Sequence, residues 1–119
     1  MAAVAPALAS TSDGVPYILW EGVTTADGAT AYTLSRRLGL NASVQIDGTF
    51  GGATVKLQAS NDGTTYFDLS DVDGTAISAT AAAIFEFGTS AIYVKPDVSG
   101  GTADAVDVIL VLRGPASNT

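Results

Sequence analysis

From Thr54 onward the chain alternates: Val55, Leu57 and Ala59 take one side of an extended segment, and Lys56, Gln58 and Ser60 take the other. A period of two is the repeat of a β-strand, whose successive side chains point to opposite faces. Gly51-Gly52 precede this run and Asn61-Asp62-Gly63 follow it, before an aromatic run through Thr65, Tyr66, Phe67, Asp68 and Leu69. Asn, Asp and Gly accept the backbone angles of a tight turn, so the segment predicts a β-hairpin. Asp-Gly pairs carry the same grammar along the chain, at Asp13-Gly14, Asp27-Gly28, Asp47-Gly48, Asp62-Gly63 and Asp73-Gly74. The pattern predicts strands near residues 15–23, 31–34, 42–50, 53–59, 65–69, 75–78, 84–87, 91–95 and 106–113. No segment holds a helical period over three turns. Residues 76–83 contain helix formers, but Ile77 and Thr80 fit an extended chain as well, which leaves a one-turn helix open there. The expected class is all-β: an antiparallel β-sandwich, jelly-roll-like, with about eight strands and little or no helix. The Asp-Gly spacings are unequal and the runs between them share no pattern, so no internal repeat is read.

The last run differs from the others. Val108, Ile109, Leu110, Val111 and Leu112 are apolar on both faces, as in a strand at the middle of a sheet covered on both sides. One cover is the partner sheet; the other is an arm or another subunit. Gly100-Gly101 open the loop before this run and Gly114-Pro115 close it. The chain divides into an N-terminal arm (residues 1–14), a β-sandwich domain (15–114) and a short polar tail (115–119). Ala7-Leu8-Ala9 superficially looks like a signal-peptide cleavage site, but a positive n-region is lacking and Pro6 breaks the apolar run. The arm is read either as a flexible tail or as a segment lying on a neighbouring subunit. No stretch is long and apolar enough to span a bilayer.

A chain of 119 residues suits one domain and can bury a core without covalent staples. With no cysteine there is no disulfide framework or thiolate metal site, and with no histidine the commonest general base and metal ligand are missing. The net charge is −7 and the basic residues Arg36, Arg37, Lys56, Lys95 and Arg113 are scattered. Only Arg36-Arg37 are adjacent, and neighbours on one strand point to opposite faces, so the clustered cations that phosphate binding needs are absent. An acidic surface discourages contact with nucleic acid and anionic membranes. Charged residues are few while Ala, Gly, Thr and Val abound, so part of the exterior is expected to be covered by neighbours.

The search for chemistry yields little. A serine nucleophile without histidine needs lysine or a terminus as base, and Lys56 and Lys95 both sit in strand-like alternation. Glu21 and Glu86 could in principle form a glycosidase-type carboxylate pair, but nothing in the sequence brings them together. The run Asp68-Leu69-Ser70-Asp71-Val72-Asp73-Gly74 invites a calcium reading, but Leu69 and Thr80 stand where an EF-hand loop needs ligands. Asx-turn chemistry is the alternative there. Gly51-Gly52 and Gly100-Gly101 suit bulges, tight bends or close backbone packing rather than a phosphate loop. Tyr17, Trp20, Tyr32, Tyr66, Phe67 and Tyr93 offer material for a sugar-stacking platform, although most aromatics in such a chain are core. Tyr17 and Trp20 face opposite ways on one strand, so at most one joins the main core. The chain is therefore expected to be no enzyme and to need no cofactor.

The segment from Phe50-Gly51-Gly52-Ala53-Thr54-Val55 to Asn61-Asp62-Gly63-Thr64, the pair Tyr66-Phe67 and the late strand after a Gly-rich loop resemble small structural proteins of tailed bacteriophages. The resemblance spans about residues 42–113. Head decoration, fibre and tail proteins share this idiom. The chain is short for a shell-forming major capsid protein and lacks its long helix, and it shows no helix like that of tail-tube proteins. It is most similar to a capsid decoration (cement) protein. That resemblance implies a compact β-sandwich or jelly roll on the outer surface of the capsid, commonly a homotrimer, which bridges major capsid protein subunits and stabilises the assembled head. Its expected contacts are uncovered sheet edges and the arm at Val4, Pro6 and Leu8, with Trp20 a further candidate. A receptor- or glycan-binding module of a fibre or spike, or a head–tail interface protein, is the alternative.

Overall fold

The computed structural model describes residues 3–14, 16–34, 40–89 and 91–114. Arg36-Arg37 and the C-terminal tail lie outside the described residues, as do the predicted strand start at Val15 and the closing Pro115. The strands are β1 (Ala7–Ser10), β2 (Pro16–Val23), β3 (Tyr32–Thr33), β4 (Leu40–Thr49), β5 (Thr54–Ser60), β6 (Phe67–Asp68), β7 (Ser78–Ala79), β8 (Ala83–Thr89), β9 (Tyr93–Ser99) and β10 (Ala105–Gly114). There is no helix among the described residues, so 76–83 is extended and bent rather than a helical turn. The fold is an antiparallel β-sandwich. One sheet runs β1-β2-β10-β4-β8; the other runs β3-β9-β5-β6, with β7 also pairing β5. Because β6 meets Gln58 and Ala59 while β7 meets Val55 and Lys56, the two short strands form one interrupted edge.

Alternation decides which side chains fill the space between the sheets. Ile18, Trp20 and Val23 of β2, Val44 and Ile46 of β4, Phe87 of β8 and Val106, Val108 and Leu110 of β10 are buried from one sheet. Val55 and Leu57 of β5 and Val94 and Val98 of β9 meet them from the other, with Ile77 from the chain before β7. Fully burying a side chain of this kind contributes about 1.5–3 kcal/mol. A one-residue slip of any strand would turn its apolar set outward, so this core also sets the register.

Two irregularities have local causes. Opposite Asp107 of β10, β2 carries two residues, Glu21 and Gly22, between the pairs Val108–Trp20 and Val106–Val23. Gly22 has φ +71° and its N–H donates to Asp107 Oδ1 at 2.9 Å, which holds the bulge. Pro96 sits within β9 although proline cannot donate to a ladder. β3 pairs β9 only at Tyr93 and Val94, so among the described residues no strand pairs β9 on that edge at Pro96, where a strand tolerates proline.

Both long sides of the sandwich are latched. On one side the Val4 N–H donates to Gly28 O (3.1 Å) and the Thr30 N–H to Val4 O (2.9 Å), after which the chain runs into β1 on the opposite sheet. On the other side, Val72 in the β6–β7 connection donates its N–H to Glu86 O of β8 at 2.9 Å.

Candidate interaction surface

As far as it is described, the N-terminal segment pairs with its own domain, at Val4 and along Ala7–Ser10. Val4 packs half-buried against the core, and β1 pairs with β2 with Leu8 opposite Ile18. Pro6 is half-buried between them. Leu8 is 63% exposed and is the one strongly exposed large apolar side chain among the described residues of this segment. Trp20 needs a correction. Its side chain is completely buried (0% exposed), and its indole N–H donates to Thr30 O at 2.8 Å. It shares the inward face with Ile18, and its polar atom is satisfied internally, so it presents nothing to a partner. Tyr17, on the opposite face, is half-buried on the outside.

The outer faces of the two sheets differ in kind. On the five-strand path β1-β2-β10-β4-β8, Tyr17 and Leu19 of β2 lie beside Val111 and Ile109 of β10, all half-buried, with no second layer of described residues over them. Further across, Ser43 and Gln45 of β4 are followed by Ile84 of β8, which is 65% exposed. At the end of this face stands a row of carboxylates: Glu21, then Asp107, then Asp47. Asp107 and Asp47 are register partners. Asp47 Oδ2 accepts from Gln45 Nε2 at 3.2 Å. None of the described side chains on this face is a lysine or arginine.

The outer face of the β9–β5–β6 sheet is finished internally. Lys56 Nζ stands 3.5 Å from Asp68 Oδ2, and Gln58 Nε2 donates to Asp68 Oδ1 at 2.9 Å. The Gln58 hydrogen bond, then the Lys56 charge, hold the Asp68 carboxyl below its ordinary value. Lys95 Nζ lies 4.4 Å from the centre of the Tyr66 ring.

The hairpin loop between β5 and β6 closes on itself. Asp62 Oδ1 accepts the N–H groups of Thr65 (2.9 Å) and Thr64 (2.8 Å) and the Ser60 hydroxyl (2.9 Å). These bonds, the Thr65 amide foremost, lower the Asp62 pKa. Beside the loop an open groove of about 340 Å³ is lined by Ala59, Asp62, Phe67, Leu69 and Ala91, with Phe67 69% exposed at its mouth. In the β6–β7 connection, Asp71 Oδ1 accepts the N–H groups of Asp73 (2.9 Å) and Thr75 (3.0 Å), which is Asx-turn chemistry. Among the described residues no three acidic side chains are grouped to hold a metal ion. Glu21 lies at the level of Asp107 and Asp47, Glu86 opposite Ser43, and three strand spacings lie between them, so their backbones stand roughly 19 Å apart. That exceeds the roughly 5–9.5 Å of a glycosidase pair.

Sequence reasoning missed the surface formed by Tyr17, Leu19, Ile109, Val111, Asp47 and Asp107 as a unit. The signal available was the two-sided apolarity of β10, which asks for a second cover. No family model, curated protein or solved structure matches the chain.

Proposed function

We propose that this chain is a capsid decoration protein of a tailed bacteriophage, bound outside the assembled head, where it bridges major capsid protein subunits. The observation that carries the reading is β10: the central strand of its sheet is apolar on both faces, yet only one face has a covering layer within the described chain. Such a strand suits a protein that works attached to a larger surface. The order β2-β10-β4-β8 facing β3-β9-β5-β6/β7, with the chain crossing between the sheets from β2 to β3, β3 to β4, β4 to β5, β7 to β8, β8 to β9 and β9 to β10, is how two interlocked Greek keys wind. We therefore read the sandwich as a jelly roll, an architecture frequent in viral capsid domains. This supports the resemblance at fold level alone.

The mechanism is linkage. A protein that binds the assembled shell and not its dissociated subunits stabilises the shell by mass action, in proportion to RT ln(1 + [L]/Kd). No bond chemistry is required, in keeping with a chain without histidine or cysteine. Its acidity suits a surface kept away from packaged DNA. The test is the copy number of this protein in purified particles of its parent virus, measured by quantitative mass spectrometry against the major capsid protein. A ratio near one to one, or a fixed large fraction of it, is expected. A few copies per particle would move the assignment to a fibre, spike or connector, and absence would discard the virion reading.

A further inference from the structure

We propose that the outer face of the β1-β2-β10-β4-β8 sheet is a docking surface for a protein partner that offers an apolar patch bordered by lysines or arginines. The inference rests on the decoration reading, under which that partner is the capsid shell.

Three observations converge on this face. The first is the apolar band of Tyr17, Leu19, Ile109 and Val111, which the described chain leaves without a second layer. The second is the carboxylate row beside it. Asp47 and Asp107 face each other across β4 and β10, and Glu21 lies on the far side of Asp107 in the β2 bulge. Like charges directly opposite in a sheet are destabilising. Asp107 has an internal duty, accepting the Gly22 N–H. Glu21 and Asp47 have no cation beside them among the described side chains. The third is a notch of about 320 Å³ between the row and the edge strand β8, lined by Gln45, Asp47, Ala83 and Ile84. It has room for a side chain whose charged end reaches Asp47.

Charge complementarity selects the occupant. A second copy would bring the same carboxylates and no described cation to this face, leaving the row uncompensated. A partner with a basic rim supplies the missing countercharge while its apolar centre covers Ile109 and Leu19. Such a rim also speeds encounter and makes binding depend on salt. The other sheet shows the contrast: there Lys56 answers Asp68 and Lys95 covers Tyr66 within the chain.

The experiment uses the full chain and shells of the parent phage assembled without it. Leu19→Thr with Ile109→Thr removes apolar contact while keeping strand propensity, and Glu21→Gln with Asp47→Asn removes the charge. Lys56→Gln on the opposite face is the control. Thermal melting of the free proteins is measured with shell occupancy at low and high salt. The Gln/Asn variant is expected to melt at or above the wild-type temperature, because repulsion is relieved, yet to dock at least about tenfold more weakly with a shallower salt dependence. A purely structural role for these carboxylates predicts the reverse. The Thr/Thr variant is expected to lose docking by a similar factor, and Lys56→Gln to dock as wild type. Wild-type docking that all variants share overturns the inference alone, as does an oligomer of the free protein that Leu19→Thr and Ile109→Thr dissolve. Failure of the wild type to dock ends the decoration reading, and this inference with it.

Discussion

Where β2, β4 and β9 finish, three loops hold one another; where β5 and β8 finish, the hairpin loop mainly holds itself. At the first end Asp104 receives the Thr25 hydroxyl at 2.6 Å and the Thr25 N–H at 3.1 Å, and the Gly101 N–H donates to Thr25 Oγ1 at 3.0 Å. The Thr102 N–H donates to Gly51 O at 3.0 Å. The loops after β2, β4 and β9 are thus tied across long stretches of sequence, the first and third through Thr25 and Asp104 side chains and the second through its backbone. At the second end Ile92 N–H reaches Asn61 Oδ1 at 3.1 Å, but Asp62 spends its Oδ1 on its own loop and a groove stays open beside Phe67. The first end converts distant sequence into one structure, and errors there propagate through three loops. The second end is local, and its errors stay local.

Glycine substitution breaks this contrast most sharply. Gly51 and Gly63 both have positive φ, +56° and +78°. A Cβ on Gly51 would meet the Thr102 carbonyl oxygen of a neighbouring loop, whereas one on Gly63 would meet only the Tyr93 ring, at 3.3 Å. Gly51→Ala therefore combines left-handed strain with a backbone collision and is expected to cost about 2–4 kcal/mol. Gly63→Ala carries the strain and a contact that a side chain can relieve, about 1–2 kcal/mol. Urea denaturation of the two variants is the check. Equal losses would remove the distinction between the ends.

Removing carboxylates comes next. Asp104→Ala leaves the Thr25 hydroxyl and amide unanswered in a site where Asp104 is only 8% exposed, so it is expected to lower the denaturation midpoint. Asp62→Ala strips an exposed loop whose amides can turn to water, and a smaller fall is expected. Both groups also set the acid limit. The Thr25 hydroxyl lowers the Asp104 pKa, and the Thr65 and Thr64 amides lower that of Asp62, both from an ordinary 3.8. A carboxylate depressed in the folded state stabilises it above the unfolded pKa, and that contribution disappears as pH falls through the folded value. Stability is expected to be flat from pH 5 to 8, since the chain has no histidine, and to decline below about pH 4. In Asp104→Asn the acid decline should be shallower, which denaturation midpoints measured from pH 2 to 6 will show.

The sequence told strands from turns well where side chains alternate strongly. The hairpin at Asn61-Asp62-Gly63 was legible for that reason, the central strand over 106–113 through its unbroken apolar run, and close packing holds for one glycine of each pair, Gly51 and Gly101. β1 was not: Ala7-Leu8-Ala9-Ser10 is small and carries little contrast between faces, so its pairing with β2 depends on tertiary context. The strand expected over 91–95 runs on to Ser99, because proline signals a stop and only the shortness of β3 shows that Pro96 costs no ladder bond. The strand expected over 75–78 is confined to Ser78–Ala79, since the chain first closes the Asp71 loop. Trp20 was readable as one of two opposed aromatics, but periodicity says that two residues differ in face, not which face is the core. The candidate surface was half legible. Two-sided apolarity marked β10, whereas the meeting of Asp47 and Asp107 is a matter of register, which period two leaves undetermined.

The smallest expected effect lies at the groove. Phe67 is 69% exposed on a two-residue strand and leaves most of its ring in water, so truncation loses little buried area. Phe67→Ser is expected to shift stability by no more than about 0.5 kcal/mol, as ordinary surface substitutions do. Leu57→Ala, on the strand that β6 flanks but pointing inward at 1% exposure, is expected to cost about 2–5 kcal/mol. The pair sharpens the comparison because Phe67, the register partner of Ala59, shares Leu57's face of the sheet and differs from it in lying at the open edge. If Phe67→Ser instead destabilised the chain by more than 1 kcal/mol, the groove would be a closed part of the core in solution, and the self-contained character assigned to that end would be lost.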